Sequence, residues 1–193
     1  MAPFTLIGIA GFTALFWITF ELANNQAFQV IYAGGNDAEY AQLSQVFNGI
    51  ATLFLLPALF VILFFVNKPR MKMHYTWMMV AAGGLLILAS ELITISGNNF
   101  NLPVLLIFYL FCTVAEILYP AFVMSHVSRL VGSKFTATAF SLFMMIFAGT
   151  AAVNKFLFQE VAEIAHFFSE ILLVFVLVGL ILIKVLGIKE RSF

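Results

Sequence analysis

Long apolar runs separated by short polar segments repeat along the chain. Six of them are near 20 residues or longer, at positions 4–33, 44–66, 75–96, 102–129, 134–158 and 167–186. About 20 predominantly apolar residues let a helix cross the hydrocarbon core of a bilayer. The pattern therefore predicts an all-α membrane protein, with six transmembrane helices forming a single bundle over residues 1–193.

The composition agrees with a chain surrounded by lipid. Hydrophobic residues make up 63% of the 193 positions and charged residues only 9%, whereas a soluble domain carries about 25% charged residues. The net charge is zero, so no nucleic acid partner is expected. Nothing in the sequence calls for a cofactor, and the single cysteine excludes an intrachain disulfide.

Several residues should shape individual helices. Pro103 suits the first turn of the fourth helix, behind Asn101 as its cap, and Pro57 and Pro120 should kink the helices that contain them. The pair Gly83–Gly84 should make the third helix flexible. The fifth run carries small residues that let helices approach closely, namely Ala137, Ala139, Ala148, Gly149, Ala151 and Ala152.

The basic residues predict the orientation. Eight of the nine would lie on one side, namely Lys68, Arg70, Lys72, Arg129, Lys134, Lys184, Lys189 and Arg191, and only Lys155 on the other. Positive residues stay in the cytoplasm. We therefore expect a multi-pass protein of the plasma (inner) membrane with both termini cytoplasmic. The start of the chain lacks the basic region of a cleavable signal peptide.

The six runs divide into two triplets that begin on opposite sides of the membrane. Two inverted three-helix repeats make up one half of a major facilitator transporter. This is the fold that we expect, although six spans alone are not diagnostic of it.

Three glutamates fall inside the apolar runs. A charge at the bilayer centre costs about 2.5–3.5 kcal/mol on insertion scales, and a buried carboxyl that holds a proton avoids part of that cost. Glu21 and Glu116 lie deep in the first helices of the two triplets, where a central site at the repeat interface is expected. Each has the alternative of a purely structural hydrogen-bonding role. Glu91 is closer to the outer end and is better explained by contact with headgroups.

Glu21 belongs to a polar stripe. Asn25, Gln29 and Tyr32 follow it at helical spacing and share its face. Because such a face is costly in lipid, we expect it to line a cavity or a helix interface. Lys155 is better explained as a side chain that reaches toward the membrane surface.

Sites for metals and catalysis are not predicted. His74, His126 and His166 lie in or near three different predicted loops and match no metal spacing. The chain has no G-x-x-x-x-G-K-[ST], G-x-S-x-G or H-E-x-x-H pattern. We therefore expect no enzyme, and an intramembrane enzyme ranks last because no nucleophile–base pair stands out.

Three of the runs also resemble a known transporter family. FWITFELANNQAF, QVFNGIATLFLLPALF and TVAEILYPAFVMSHVSRL are similar to the seventh, eighth and tenth helices of the proton-dependent oligopeptide transporters (POT/PTR family), which belong to the major facilitator superfamily. The matching residues are Phe16, Trp17, Phe20 and Glu21, then Gln45, Asn48 and Pro57, and then Glu116, Ser125 and Leu130. The chain departs from the family pattern at Leu22, Gly49 and Arg129, and its fifth run lacks the usual tryptophan.

The resemblance implies a function and roles. The chain would be helices seven to twelve of a proton-coupled symporter of di- and tripeptides. Glu21 would take part in proton coupling, Glu116 would bind the amino group of the peptide, and Asn48 would contact substrate. Asn25 and Gln29, on the face of Glu21, are further candidates for substrate binding.

Nothing in the chain resembles the E-x-x-E-R-F-x-Y-Y pattern of that family's first helix or the lysine of its fourth helix. We therefore expect a fragment or a split product that works with a separate N-terminal six-helix half, or else a homodimer. Two other functions stay open. One is a transporter of another small solute, and the other is a non-transporting membrane protein whose polar residues hold helices together.

Overall fold

The described part of the chain is almost entirely helical. The structure, a computed structural model, describes residues 2–33, 42, 46–47, 49–58, 75–96, 102–157 and 162–185. Its six helices are α1 (Ala2–Ala33), α2 (Gly49–Ala58), α3 (Tyr75–Ser96), α4 (Leu102–Val131), α5 (Thr136–Leu157) and α6 (Ala162–Val185). No strand occurs within these residues. The prediction of an all-α protein is confirmed.

Three helices contain apolar stretches long enough to cross a membrane. These stretches are Leu6–Val30, Thr76–Ser96 and Leu102–Val131, whereas the described apolar stretches of the other helices are shorter, at Gly49–Ala58, Thr136–Thr150 and His166–Leu182. The outer surface is apolar as well, and large side chains such as Ile7, Phe54 and Phe175 are at least 68% exposed. Such a surface suits lipid better than water, so the helices support a membrane-embedded protein.

The helix bounds follow the predicted runs with one notable difference. α3 has the predicted bounds, and Pro103 is the second residue of α4, as expected for a first turn. α6 begins at Ala162 rather than at position 167 and therefore includes His166, which the sequence placed near a loop. Asn101, the predicted cap, and positions 44–45, 48 and 59–66 of the second predicted span lie outside the described residues.

α1 lies at the centre of the bundle. It contacts α3, α4, α5 and α6, and α4 in turn contacts α3 and α5. Trp17 of α1 meets Phe147 of α5 edge to face, with ring centroids 4.5 Å apart. The most deeply buried large side chains include Phe16, Leu86, Ile93, Leu105, Phe108, Tyr119 and Leu173. The core is thus built from side chains of α1, α3, α4 and α6, and the two deep acids lie on two of these helices.

The glycines of α3 serve close packing. The helix is continuous through Gly83 and Gly84, and the predicted flexibility of this pair stays a prediction. A Cβ built on Gly83 would lie 2.9 Å from Cδ2 of Leu177 in α6, whereas one on Gly84 would meet nothing within 4 Å. Gly83 therefore permits the close approach of α3 and α6.

The small residues of α5 do not act as predicted within this chain. Ala139 is buried, but Ala137, Ala148, Gly149 and Ala152 are exposed, and a Cβ on Gly149 would meet nothing within 4 Å. The prediction of close helix approach is therefore wrong for these four residues. They lie on the outer surface because α5 packs on α1 and α4 through its other face.

Candidate functional site

The two deep acids lie near the middle of adjoining helices. Glu21 is about 22 Å along the apolar stretch of α1 that begins at Leu6, and Glu116 about 21 Å along the stretch of α4 that begins at Leu102, at 1.5 Å per residue. Both side chains are half-buried. Their carboxyl groups lie close enough to interact electrostatically. Residues 95 positions apart in the sequence thus interact between α1 and α4.

An aromatic and hydroxyl cluster holds these two helices together. Tyr119 of α4 stacks on Phe16 of α1, with ring centroids 4.0 Å apart and planes within 9°. Its hydroxyl lies 2.9 Å from the hydroxyl of Thr13, which donates its single proton to the carbonyl of Ile9 at 2.7 Å. Tyr119 is therefore the donor in the hydrogen bond between the two hydroxyls. All three side chains of this contact are buried. We call Thr13, Phe16 and Tyr119 the α1–α4 clamp.

The clamp fixes the acids as well as the helices. Tyr119 follows Glu116 by three residues, close to one helical turn, so the two side chains share a face of α4. A stacked and hydrogen-bonded Tyr119 restricts the rotation of α4 about its axis. The sequence did not point to Thr13 or Tyr119, and the only signal was the spacing of Tyr119 from Glu116.

The polar stripe of α1 turns outward. Asn25 and Gln29 are exposed, whereas Asn24 and Gln26 are half-buried. Asn24 donates a hydrogen bond to the carbonyl of Phe20 at 2.9 Å, and the buried Oε1 of Gln26 has no hydrogen-bond partner among the described residues. Within this chain the side chains of Asn25 and Gln29 are thus not covered by another helix that the structure describes, and the expectation that their face lines a cavity or a helix interface stays a prediction.

Two predicted residues cannot be placed in the site. Asn48, the predicted substrate contact, lies outside the described residues, and the side chain of Tyr32 does too. The roles of Glu21, Glu116, Asn25 and Gln29 stay predictions. What the geometry adds to them is the proximity of the two acids and the outward position of the two amides.

A second polar cluster, which the sequence did not predict, joins α3 to α6. The hydroxyl of Ser90 is 2.6 Å from Nε2 of His166, and Nδ1 of His166 is 3.6 Å from Oε2 of Glu170. Ser169 donates a hydrogen bond to the carbonyl of His166 at 2.8 Å. The placement of His166 near a loop hid this cluster, because the helix extends through polar residues ahead of the apolar run.

The order Ser90–His166–Glu170 is that of a Ser-His-acid triad. The expectation that no nucleophile–base pair stands out is corrected to this extent. A hydrolytic nucleophile must reach its substrate, however, and Ser90 is 0% exposed in the middle of a continuous helix, where its backbone is committed to helical hydrogen bonds. We interpret the cluster as a buried hydrogen-bonded contact between α3 and α6. Among the described residues, no group of three or more His, Cys, Asp or Glu side chains has the arrangement of a metal site.

Comparisons with known proteins give no family for this chain. No family model, curated protein or solved structure matches it. The similarity of its three runs to proton-dependent oligopeptide transporters therefore stays a resemblance of short motifs. The features that bear on its function are Glu21 and Glu116, the α1–α4 clamp and the exposed amides of α1.

Proposed function

We propose that this chain is one half of a secondary active transporter that couples proton movement to the uptake of di- and tripeptides. The observation that carries the proposal is the electrostatic interaction of Glu21 with Glu116, each of which lies in the middle of a helix of a membrane-embedded bundle. Acids in such places are costly and are commonly functional. If these acids only held helices together, there would be no need for two of them at interacting positions on adjoining helices.

The chemistry of paired carboxyls fits proton coupling. Two negative charges held close together in a setting of low dielectric constant repel each other, so the pair is suited to keep one proton. A positively charged amino group that approaches Glu116 would compensate the second charge. Glu21 would then be the group that exchanges its proton, and Glu116 the group that binds the peptide.

The remaining parts of the proposal concern the assembly. α1 and α4 would be the first helices of two inverted three-helix repeats, and the excess of basic residues on one side would place both termini in the cytoplasm of a plasma (inner) membrane protein. Alternating access needs a second bundle, supplied by an N-terminal six-helix half or by a second copy. Asn25, Gln29 and Asn48 would contact the substrate or that second bundle.

One observation favours a second candidate, a membrane interaction protein that transports nothing. The exposed amides of Asn25 and Gln29 can form hydrogen bonds across helices to a partner. In that case Glu21 and Glu116 would only strengthen helix packing. A transporter of another small solute would use the same acids with a different specificity.

The proposal is tested by transport. The tagged chain is purified from its native membrane in mild detergent together with any bound membrane protein, and the assembly is placed in liposomes. Uptake of a labelled dipeptide is then measured with and without an inward proton gradient, and unlabelled peptides, sugars and organic acids are added as competitors. We expect gradient-dependent uptake that only peptides compete for.

Substitutions then connect the uptake to the site. Glu116→Gln should raise the peptide concentration for half-maximal uptake by at least about tenfold, the effect of losing one charged contact of about 1.4 kcal/mol. Glu163→Gln, the same change in the first turn of α6, is the matched control and should leave uptake unchanged. Unaltered uptake by both Glu116→Gln and Glu21→Gln would refute the site, and an assembly that moves no solute would favour the interaction protein.

A further inference from the structure

A cavity lies between α3 and α6, away from the deep acids. Its volume is about 270 Å³, and it is lined by the carboxylates of Glu91 and Glu170, by the rings of Phe167 and Phe175, and by aliphatic side chains of both helices. Glu91 is about 8 Å before the end of α3, and Glu170 about 12 Å after the start of α6, at 1.5 Å per residue. The cavity therefore lies closer to one end of each of these two helices than to the other.

Neighbouring side chains hold Glu170 in place, but one of its two carboxylate oxygens lacks a hydrogen-bond donor within the part of the chain that the structure describes. Its Oε2 faces Nδ1 of His166 at 3.6 Å, and its carboxylate is close enough to interact with the hydroxyl of Ser90. His166 is held in turn by Ser90 at 2.6 Å. The other oxygen, Oε1, is buried and has no hydrogen-bond partner among the described residues. A buried carboxylate oxygen without a donor is costly, so this atom points to a missing donor.

The carboxylates of Glu91 and Glu170 make the cavity negatively charged, which favours binding of a cation. Glu91 acts electrostatically on both His166 and Glu170, and these two glutamates are the charged side chains that line the cavity among the described residues. Two carboxylates facing one space repel each other, and a positive group between them converts this repulsion into attraction. The walls are otherwise apolar or aromatic, and the faces of aromatic rings attract cations. An ammonium group offers up to three N–H donors, one of which can satisfy Glu170 Oε1.

We propose that the α3–α6 cavity binds a primary ammonium group carried on an apolar chain. Glu91 and Glu170 hold the ammonium, His166 and Ser90 orient Glu170, and Phe167 and Phe175 contact the chain. The shared chemistry is found both in lipids with an ethanolamine headgroup and in free alkylamines. This site is separate from Glu21 and Glu116, so it does not depend on the proposed transport function.

The test uses the full chain in nanodiscs of phosphatidylcholine, whose headgroup has no N–H donor. Binding of n-octylammonium is measured by calorimetry, with n-octanol and octanoate as matched neutral and anionic probes. We expect n-octylammonium to bind at least about tenfold more tightly than either, which corresponds to one charged contact of about 1.4 kcal/mol. Equal binding of the three probes would overturn the proposal.

Variants locate the site. Glu170→Gln and Glu91→Gln should each weaken n-octylammonium by about tenfold, Phe175→Ala should weaken all three probes, and Glu163→Gln should change nothing. Because Glu170→Gln also alters the contact with His166, its thermal unfolding is measured alongside, and exposed Glu91 provides the variant that leaves the core intact. Wild-type affinity in the Glu91→Gln, Glu170→Gln double variant would contradict the proposal.

A last arm separates the two sources of the ammonium. The binding of n-octylammonium is repeated in nanodiscs that contain phosphatidylethanolamine. Competition by this lipid would identify a headgroup as the natural occupant, and unchanged binding would identify a free amine. Either result agrees with an ammonium site.

Discussion

Tyr119 makes the most specific contact between the two helices that carry the deep acids. Its ring stacks on Phe16 at a centroid distance of 4.0 Å, and its hydroxyl meets that of Thr13. A buried hydroxyl in an apolar surrounding costs free energy unless it is paired. The pairing across α1 and α4 therefore selects one rotation of each helix, and with it the relative position of Glu21 and Glu116.

The ring and the hydroxyl of Tyr119 should contribute separately to stability. Tyr119→Phe removes one hydrogen bond but keeps the stack, so we expect the free energy of unfolding to fall by about 1 kcal/mol. Tyr119→Ala also leaves a cavity against Phe16 and should cost about 3–5 kcal/mol. Both values are measured by titration with a denaturing detergent, with Ser141→Ala on the exposed face of α5 as control. Equal losses for Phe and Ala would show that the stack contributes nothing.

The sequence revealed only some of these residues. Glu21 and Glu116 could be found from the sequence because an acid inside an apolar run is energetically costly and is commonly functional. Tyr119 and Thr13 could not be found, since both are compatible with ordinary packing and their contact joins positions 106 apart. Asn25 and Gln29 were assigned to a polar face of α1, and that face is exposed in this chain. The helical period gives which residues share a face, but not which face meets a neighbour.

α3 and α6 approach each other at Gly83. The close position of Leu177, 2.9 Å from a Cβ built there, leaves no room for a larger residue unless the leucine moves. Leu177 is only 6% exposed, so its tip has little space. The same pair of helices also shares the contact of Ser90 with His166, and the separation at Gly83 therefore affects this polar cluster too.

Alanine scanning of the glycine pair in α3 should separate packing from helix propensity. Alanine favours the helix over glycine by about 1 kcal/mol at either position. Gly84→Ala should be neutral or stabilising, because nothing lies within 4 Å of its Cβ. Gly83→Ala should be less stable than Gly84→Ala by about 1 kcal/mol, the cost of a mild overpacking.

The cause of that difference can be checked by a double-mutant cycle. In a Leu177→Ala background the Gly83→Ala change should lose its penalty, while Gly84→Ala keeps its value. Unfolding free energies from detergent titration provide all of these numbers. Identical effects of the two glycine changes in the wild-type background would mean that α3 and α6 are not in close contact there.

Helix bounds were more predictable than helix neighbours. Apolar runs mark the bounds because a bilayer demands about 20 apolar residues, and α3 begins and ends where its run does. α6 starts earlier because Glu163 and His166 are compatible with a helix although they interrupt the apolar run. The end of a membrane helix is therefore hardest to predict where polar residues lie beside the apolar run.

The arrangement of the helices as a bundle could not be read from the sequence. In a soluble protein the polar face of a helix shows which side meets water, but lipid is as apolar as the core, so both faces of a membrane helix look alike. The central position of α1 and its contacts with α3, α4, α5 and α6 are for this reason new information. The small residues of α5 were misassigned for the same reason.

Proton coupling by Glu21 is the central claim for the complete assembly. A group that only exchanges the proton is needed for uptake driven by a proton gradient. It is not needed for the exchange of labelled for unlabelled peptide across the membrane, in which the proton need not be released. A group that only packs helices would affect both processes alike.

The most direct measurement compares these two processes in liposomes containing the assembly with Glu21→Gln. We predict that gradient-driven dipeptide uptake falls to the background of empty liposomes while exchange continues at a rate close to that of the unsubstituted assembly. Glu163→Gln should change neither. Loss of both processes in parallel, or the retention of gradient-driven uptake, would contradict the assignment of Glu21 as the coupling group.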